Sequence, residues 1–447
     1  MKLNIELLKI SDKITYSDIF DNPTITDLIN LINSNNLITD SSDIDIDNSK
    51  YEELLHNNIV IPSTTISKKN NNLLLSGATG FLGIHILASY LDNNLGKIYC
   101  LIRSEPGITS ETKLLNKLHY YFGNKYDNSI NKKIFIINGD ISKEKFGISE
   151  SQYYELSKNV DIVINSAAKV DHFGKYETFY NINVNGVQNI IDFCLLYEKR
   201  FYQISTLSVS GNSFVDSYAY EQNFSDIRTF SEDKLFIGQT LNNVYVKTKF
   251  EAEKLVLDNI IDNNLDGYIL RVGNLMPRLK DGKFQQNIQD NAYLNRLAAF
   301  LKIGYIPHNI SNAYLEFTPI DCCADSIIKL IPNSNRKNRI FHLYNHNHLY
   351  LTKLLDMLKD LKHPIKVVDE ETFKNIIKSI LNDENKKDIL SNLANDFGKN
   401  LSLNYESNIK ITSEFTIKFL DKLNFSWPEI NAKYLTNILE LLKKVGN

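Results

Sequence analysis

A tyrosine followed four residues later by a lysine is the spacing in this sequence with the clearest chemistry. On a helix, positions i and i+4 share a face, and an ammonium beside a phenol lowers a phenol pKa that is otherwise about 10. The spacing occurs at Tyr121/Lys125, Tyr154/Lys158 and Tyr245/Lys249. Only Tyr245 follows a predicted fifth strand and opens an amphipathic helix, because the other two precede the predicted fourth strand. We therefore predict that Tyr245 donates a proton and that Lys249 tunes it.

The predicted fifth strand, YQISTLSVSG, supplies hydroxyl groups that could orient a substrate carbonyl beside that tyrosine. Ser205 and Thr206 stand next to each other there, and the residues alone leave both open. The pattern indicates a hydroxyl, a phenol and an ammonium gathered at the end of one strand.

A glycine-rich stretch, LLLSGATGFLGIHIL, joins an apolar strand to an amphipathic helix through Gly77, Gly80 and Gly83. Glycines at this spacing allow a tight turn, close approach to a pyrophosphate and close helix packing, while the helix N-terminus attracts the phosphate charge. The alternative is a structural turn. Because the stretch lies between a strand and a helix at the start of an alternating series, it favours a dinucleotide site.

The next strand, KIYCLIRS, indicates which dinucleotide is bound. It ends in Arg103, whereas an acidic residue is expected where a ribose 2'-hydroxyl must be held. A guanidinium can pair with a 2'-phosphate and stack on adenine, so the sequence favours NADPH over NADH. The alternative is a solvated arginine; Lys113 and Lys117 could assist but fit helix-surface charges better.

Two later strand ends complete the predicted cofactor cleft. Asp140 and Ile141 follow the third strand, where an adenine edge would lie, and the small Ala167 and Ala168 follow the fourth. Small side chains there let a cofactor cross the strand ends. His172 is nearby, but a loop histidine without a partner in sequence is more often structural.

Short apolar runs alternate with helical stretches over most of the chain. The predicted strands are NNLLLSG, KIYCLIRS, KIFIING, VDIVINSAA, RFYQISTLSVSG and GYILRVGN, with helices such as 82–93, 111–122 and 184–198 between them. Strands alternating with helices imply a parallel sheet covered on both faces. The expected fold is α/β, a Rossmann-type doubly wound parallel sheet with a smaller, mostly helical C-terminal lobe.

Composition excludes several classes of protein. The 447 residues are 43% hydrophobic and 23% charged with a formal net charge of -3, as in an ordinary globular protein. No basic field for nucleic acid or a membrane surface is present, and no apolar run approaches the ~20 residues that span a bilayer. The four cysteines lack metal-ligand spacing. We expect a cytoplasmic protein, a monomer, with no metal, nucleic acid or membrane partner.

Turn formers and charge concentrate in 36–70, which we predict to be a linker. It separates a helical segment, 1–35, from a dinucleotide-binding domain with the catalytic residues over 71–284. The mostly helical remainder, 285–447, is expected to form a substrate-binding lobe whose strands partly interleave with the sheet.

Together, the glycine turn, the STLSVSG strand and the Tyr245/Lys249 pair resemble an extended short-chain dehydrogenase/reductase. In that family the catalytic hydroxyl matches Thr206, with Ser205 beside it. Asn183 in NINVNG matches an asparagine that steadies the helix carrying the lysine.

A closer resemblance covers residues 70–447. Seven segments are similar, in the same order, to the thioester reductase domain that terminates non-ribosomal peptide synthetases: CLIRS, VDHFGKYETFYNINVNG, STLSVSG, YVKTKFEAE, RVGNLMPRLKDGKFQQN, LEFTPIDCCADSI and LNFSWPEINAKYL. This resemblance implies that NADPH reduces a peptidyl or aminoacyl thioester, carried on the phosphopantetheine of an upstream carrier domain, to an aldehyde. Whether reduction continues to an alcohol is left open, because both steps use one site.

The resemblance also implies roles for named residues. Tyr245 would protonate an oxyanion that Thr206 helps to hold, and Lys249 would also bind the nicotinamide ribose. We assign catalysis to Thr206, Tyr245 and Lys249. We assign cofactor binding to Gly77, Thr79, Gly80, Phe81, Leu82, Gly83, Arg103, Asp140, Ile141, Ala167, Ala168, Lys169, Asn183, Ser205, Tyr245, Lys249, Gly273 and Asn274.

The first residues, KLNIELLKISDKITYSDIFDNPTITDLINLIN, resemble the downstream part of a peptidyl carrier domain. A DIF hinge there leads to a helix begun by Pro23 and Thr24. The serine that carries phosphopantetheine lies upstream of this stretch in that family, so we expect a partial carrier domain without it. The alternative is an unrelated helical extension.

Three further alternatives stay open at this point. The extension between Gly211 and Asn243 could shape a channel for a pantetheine arm or could be a surface insertion. The whole chain could instead be a sugar-nucleotide epimerase or dehydratase, although retained NAD fits poorly with Arg103. It could also be a non-catalytic dinucleotide-binding module, although the intact Thr206, Tyr245 and Lys249 set argues against that.

Overall fold

A seven-stranded parallel sheet forms the centre of the chain in the computed structural model. The strands are β1 (Leu73–Ser76), β2 (Ile98–Ile102), β3 (Ile134–Asn138), β4 (Ile162–Asn165), β5 (Arg200–Thr206), β6 (Ser217–Tyr218), β7 (Arg228–Phe230), β8 (Gly267–Val272), β9 (Leu275–Met276), β10 (Tyr305–Pro307), β11 (Tyr314–Leu315), β12 (Thr318–Pro319), β13 (Ile340–Leu343), β14 (Leu349–Tyr350), β15 (Lys366–Val368) and β16 (Ile409–Ile411). The central sheet has the order β13-β8-β5-β4-β1-β2-β3. The order reverses between β1 and β4, and ligands bind outside the carboxyl ends of strands at such a switch point.

The structure describes most of the chain. The described residues are 24–33, 46–56, 71–171, 174–211, 217–218, 227–241, 243–288, 291–311, 313–333, 338–383, 389–390, 393, 397, 401, 403 and 408–445. His172, most of the segment interpreted as a partial carrier domain and part of the extension after Gly211 lie outside them.

Helices cover both faces of the sheet, as predicted. They are α1 (Ile25–Asn33), α2 (Ser49–His56), α3 (Phe81–Asp92), α4 (Ser110–Phe122), α5 (Glu150–Asn159), α6 (Tyr176–Tyr180), α7 (Gly186–Leu196), α8 (Val244–Asn263), α9 (Ala292–Ile303), α10 (Ile320–Leu330), α11 (Leu351–Asp360), α12 (Glu370–Asn382), α13 (Glu414–Lys422) and α14 (Ala432–Val445). The helices α3, α4, α10 and α13 share one buried cluster with the sheet. The helices α5, α7 and α8 share the cluster on the opposite face.

Strand periodicity explains why β1 begins with three consecutive leucines. Leu73 and Leu75 belong to the cluster on one face of the sheet, and Leu74 belongs to the cluster on the other. A strand covered on both faces reads as a continuous apolar run. The predicted doubly wound fold is thus confirmed, and the six predicted strands are β1 to β5 and β8.

The chain after residue 285 contributes to two parts of the molecule. β13 forms an edge of the central sheet beside β8, in register Ile340 with Ile269, and α10 packs on α3 through buried residues such as Cys323 and Ile327. The helices α9, α11, α12 and α14 contribute to two further apolar clusters. The lobe is therefore interleaved with the sheet, because its strand and helix supply the outer layer that the sheet requires.

A helix lies within the range 36–70 that we predicted to be a linker. In α2, the Tyr51 hydroxyl donates to Asp258 Oδ1 at 2.8 Å, and Lys50 Nζ lies 2.8 Å from Asp258 Oδ1 and 3.0 Å from Asp262 Oδ2. The Tyr51 ring is buried in the cluster that covers α8. This segment is thus fixed to the helix that begins near Tyr245.

Two kinds of feature are absent from the described residues. None of their helices is both long enough and apolar enough to span a membrane. They contain no cluster of three or more His, Cys, Asp or Glu side chains arranged to hold a metal ion.

Candidate active site

The turn after β1 brings backbone to the switch point of the sheet. Gly77 has φ +74°, and a Cβ there would lie 2.6 Å from Ala167 N, so only glycine fits against the loop after β4. A Cβ on Gly83 would lie 2.1 Å from Gly77 O, because the first turn of α3 packs directly on the glycine turn. Gly80 precedes α3 with extended backbone and no side-chain cap. Free helix N–H groups at this point can bind an anion.

A cleft of about 450 Å³ opens above this turn, at the carboxyl ends of the strands. Nine of the residues assigned to the cofactor line it: Gly77, Thr79, Gly80, Arg103, Asp140, Ile141, Ala167, Ala168 and Lys169. A buried network supports its floor, since Ser76 Oγ donates to Asn165 Oδ1 at 2.5 Å and Asn165 Nδ2 donates to Gln203 Oε1 at 2.9 Å. The glycine cradle and the shape of the cleft fit a bound dinucleotide.

One end of the cleft carries positive charge. The Arg103 side chain is 59% exposed, and its Nη1 lies 4.0 Å from Asp140 Oδ2. Lys113 also lines the cleft and forms an ion pair with Glu105. Lys117 donates to Gln286 Oε1 at 2.6 Å instead and does not line it. A guanidinium with this exposure can reach an added phosphate.

The hydroxyl of Thr206 and the phenol of Tyr245 meet at the end of β5. Asn243 accepts hydrogen bonds from Tyr245 N and Val246 N and thereby starts α8 at this place. Tyr245 retains partial exposure. Burial raises the pKa of Tyr245 to about 12, while hydrogen bonding by the neighbouring Thr206 hydroxyl lowers it.

Lys249 lies one turn along α8 and is only 4% exposed. Its Nζ donates to Ile204 O, in the strand that also carries Thr206. Burial lowers the pKa of Lys249 to about 8, and the charge of Glu253 acts in the opposite direction. Burial and Thr206 are the influences on the pKa of Tyr245, so tuning of the phenol by Lys249 stays a prediction.

Asn183 lies in a π-helical turn, Asn181–Asn185, that precedes α7. Its Oδ1 accepts from Lys169 N at 2.8 Å, and its Nδ2 donates to Lys169 O at 3.0 Å and to Thr248 Oγ1 at 3.0 Å. Thr248 is the residue before Lys249. Asn183 therefore joins the loop after β4 to the helix that carries the lysine, and its steadying role in the reaction stays a prediction.

The loop after β8 is held by a buried carboxylate. Asn274 donates from its backbone N and its Nδ2 to Glu316 Oε2, at 2.6 and 2.9 Å. A Cβ on Gly273 would lie 2.6 Å from the Tyr344 Cβ and 2.8 Å from Glu316 Oε2. Gly273 thus lets this loop pack closely, and Glu316 fixes its position.

Three residues that we assigned to the cofactor are packed against the protein core. Leu82 is buried in the core and Phe81 packs edge-on against Phe284, at 5.0 Å between ring centroids. Ser205 is buried, and its hydroxyl donates to Glu253 Oε1, so it points away from Thr206. Alternation along a strand is the signal that could have separated the two hydroxyls.

Sequence reasoning missed the groups beneath the site. Ser166 and Val170 line the cleft beside residues that we did assign. Glu253, Arg271 and Glu316 are buried charges whose partners are distant in sequence. Nothing local marks such residues, because burial of a charge depends on partners brought by the fold.

The described parts of the extension after Gly211 contact the C-terminal part of the chain. β6 pairs with β11, and β7 pairs with β16. Phe230, Leu235 and Leu241 are buried in the main core. A role in shaping a channel stays a prediction.

A dinucleotide cleft at the switch point, next to a phenol that opens the helix after the fifth strand, can support hydride transfer with proton donation. This arrangement defines the chain as an oxidoreductase domain of the extended short-chain dehydrogenase/reductase class. The chain belongs to the Male sterility protein family, whose family model matches residues 75–327.

Solved structures narrow the similarity to reductase domains. The chain is similar to a thiolation-reductase di-domain from an archaeal non-ribosomal peptide synthetase, with a TM-score of 0.81 and 31% identity over 100% of this chain and 90% of that one. The chain is also similar to the reductase domain of the aureusimine biosynthetic cluster. The TM-score is 0.70 and the sequence identity 25%, over 90% of this chain and 99% of that one. The predicted resemblance to terminal reductase domains is thus confirmed.

Curated relatives are much longer proteins. Probable polyketide synthase 6 of Dictyostelium discoideum is 28% identical over 277 residues, which cover 61% of this chain and 9% of the synthase. The chain therefore spans less than a tenth of that relative's length. A UDP-glucuronic acid 4-epimerase from Bacillus cereus shares the fold at 17% identity and a TM-score of 0.53, so the reductase domains fit better than the epimerase alternative.

Proposed function

We propose that this chain uses NADPH to release a peptidyl or aminoacyl thioester from the phosphopantetheine of a carrier domain as an aldehyde. The observation that carries the proposal is the meeting of Thr206 and Tyr245 at the end of β5, because β5 pairs with β4 and the loop after β4 lines the dinucleotide cleft. Likeness to a thiolation-reductase di-domain over the whole chain supports a carrier-bound substrate. The same likeness supports reading the segment 1–35 as part of a carrier domain.

The proposed reaction assigns a proton transfer to the chain's own residues. When bound, a reduced nicotinamide supplies a hydride to the thioester carbon. The phenol of Tyr245 donates its proton to the carbonyl oxygen, which Thr206 Oγ1 helps to hold, and a hemithioacetal results. The carbon–sulfur bond then breaks, the hydroxyl loses its proton and the sulfur leaves as a free thiol. Lys249 supports the phenol and, by the family resemblance, holds the nicotinamide ribose.

Activity on a soluble thioester tests this proposal. The purified chain is incubated with NADPH and an aminoacyl or dipeptidyl pantetheine thioester, and loss of reduced-nicotinamide absorbance is followed together with trapped aldehyde and free thiol. We expect one thiol released per aldehyde formed. NADPH that stays unconsumed with every pantetheine thioester, and with thioesters loaded on a separate carrier domain, contradicts the proposal.

The choice of NADPH depends on Arg103. Replacing it by alanine removes the guanidinium that faces the open end of the cleft, and charge-assisted hydrogen bonds of this kind contribute about 1.5–3 kcal/mol. We expect the KM for NADPH to rise by roughly 10- to 100-fold, with the KM for NADH unchanged.

The matched control for that variant is Lys117→Ala. Lys117 lies on α4, outside the residues that line the cleft, so both KM values should stay as in the wild type. Equal effects of Arg103→Ala on the two cofactors would assign Arg103 to general binding and not to the 2'-phosphate.

A further inference from the structure

A fully buried ion pair joins α8 to β8, the strand that pairs with the strand carrying Thr206. Glu253 and Arg271 are both 0% exposed. Arg271 Nε lies 3.1 Å from each carboxylate oxygen of Glu253, and Arg271 Nη2 lies 2.7 Å from Oε2. Removing two charges from water is costly, and such a pair often stabilises no better than apolar residues would. Its position relative to the site therefore needs a separate explanation.

The carboxylate of Glu253 contacts the elements that carry the catalytic groups. Glu253 is four residues after Lys249 and eight after Tyr245, so the three side chains share one face of α8. Ser205 Oγ donates to Glu253 Oε1 at 2.5 Å. Lys249 Nζ donates to Ile204 O, in the residue before Ser205. One carboxylate thus fixes α8 against β5 immediately before Thr206.

Arg271 holds that carboxylate from the neighbouring strand. Its Nη1 donates to Lys234 O at 3.0 Å and lies 3.1 Å from His342 Nε2. His342 Nδ1 lies 2.6 Å from Thr412 O, so Nδ1 carries the hydrogen and Nε2 accepts from Arg271. Burial, together with the Arg271 charge, keeps the pKa of His342 well below its usual value, and the ring stays neutral. The guanidinium also stacks over the Phe230 ring, 4.3 Å from its centroid.

Other charged groups on α8 are paired away from Lys249. Glu251 accepts from the Tyr176 hydroxyl, and Lys247 lies over the Tyr176 ring. Asp258 is paired with Lys50 and Lys254 near the far end of the helix. Asn183 and Thr248, on the remaining packed side, are uncharged. Glu253 is thus the carboxylate that acts on Lys249.

We infer that Glu253, clamped by Arg271, is a positioning residue that keeps Lys249 in place as the cationic partner of Tyr245. The inference rests on the proposed function, because it assigns Lys249 a part in that reaction. Burial alone drives Lys249 toward its neutral form, and Glu253 opposes this effect. In Glu253→Gln the opposing charge is lost, and Arg271 is left as an uncompensated cation that repels the ammonium further.

The test is the pH dependence of Glu253→Gln compared with Glu251→Gln, a variant with the same chemical change two residues away on the same helix. Lys249 must be protonated to act, so kcat/KM falls as pH rises through its pKa. We expect this alkaline limb to move to lower pH by at least about one unit in Glu253→Gln. In Glu251→Gln we expect no movement.

A second readout does not depend on turnover. In protein labelled with 13C at lysine Cε, the Lys249 signal, assigned through Lys249→Arg, should titrate at lower pH in Glu253→Gln than in the wild type. If Glu253→Gln does not fold, Glu253→Gln/Arg271→Met removes both buried charges and should show a smaller shift in the same direction.

The outcomes separate the inference from the proposed function. An active wild type whose alkaline limb and Lys249 titration are unmoved in both Glu253 variants overturns the inference, whatever stability those variants lose. A wild type without thioester turnover contradicts the proposed function, while the lysine titration still decides whether Glu253 controls the charge of Lys249.

Discussion

Replacing Tyr245 by phenylalanine should lower kcat on a pantetheine thioester by roughly 10²- to 10⁴-fold, the usual contribution of a positioned proton donor. Phenylalanine keeps the ring and loses the hydroxyl that lies next to Thr206. The residues that line the cleft for the dinucleotide are unchanged in this variant, so the dissociation constant for NADPH should change much less than kcat. Single-turnover absorbance measurements and fluorescence titration with NADPH measure the two quantities.

A matched control exists elsewhere in the chain. Tyr154 also has a lysine four residues later, and Lys158 Nζ lies 4.1 Å from its ring centroid. That tyrosine is 54% exposed, on the helix before β4, and Tyr154→Phe should leave kcat unchanged. A Tyr245→Phe enzyme as active as the wild type would remove Tyr245 from the mechanism.

Replacing Gly83 by alanine should weaken NADPH binding by about 100-fold or more. The added Cβ would lie 2.1 Å from Gly77 O and 2.8 Å from Gly77 C, and backbone cannot yield as a flexible side chain does. The first turn of α3 must therefore move away from the glycine turn. Losing one or two charge-assisted hydrogen bonds to the pyrophosphate, at about 1.5–3 kcal/mol each, weakens binding by that factor. Isothermal titration with NADPH measures the loss, and thermal unfolding without cofactor should show a lower Tm.

The variant Gly80→Ala distinguishes two effects, the packing of α3 on the glycine turn and the approach of NADPH to the backbone of that turn. Its Cβ would meet only Gly77 O, at 3.1 Å, and its φ of -74° suits alanine. We expect its Tm without cofactor to stay near that of the wild type while NADPH binding still weakens. A Gly83→Ala protein that binds NADPH normally would show that α3 need not pack so closely on the turn.

Local signals were sufficient to predict the sheet and the start of the catalytic helix. Each central strand is an apolar run between turn residues, and the asparagine that begins α8 directly precedes the segment we assigned as a helix. The glycine turn was predictable because its spacing reflects steric contacts within a few residues of itself.

Other features depend on contacts between distant residues, which no local pattern reveals. The sequence EAEKLV contains two glutamates, and only the fold shows that Glu253 meets Arg271 while Glu251 meets Tyr176. The apolar run RIFHLYN predicts a strand at Ile340–Leu343. Its place beside β8 could not be predicted, because that requires the chain to return across the sheet. The helix α2 is short and charged, and it is held mainly by Tyr51 against the core.

The docking of α2 on α8 reduces the number of residues between α1 and the next part of the chain that packs on the sheet. If the chain were fixed only at Leu73, about 40 residues would separate α1 from that point, with a maximal reach of about 140 Å. Because Lys50 and Tyr51 are held by Asp258, about 16 residues remain, with a reach of about 55 Å. Asn33 can therefore lie no farther than about 55 Å from the start of α2, whatever path the chain between them takes.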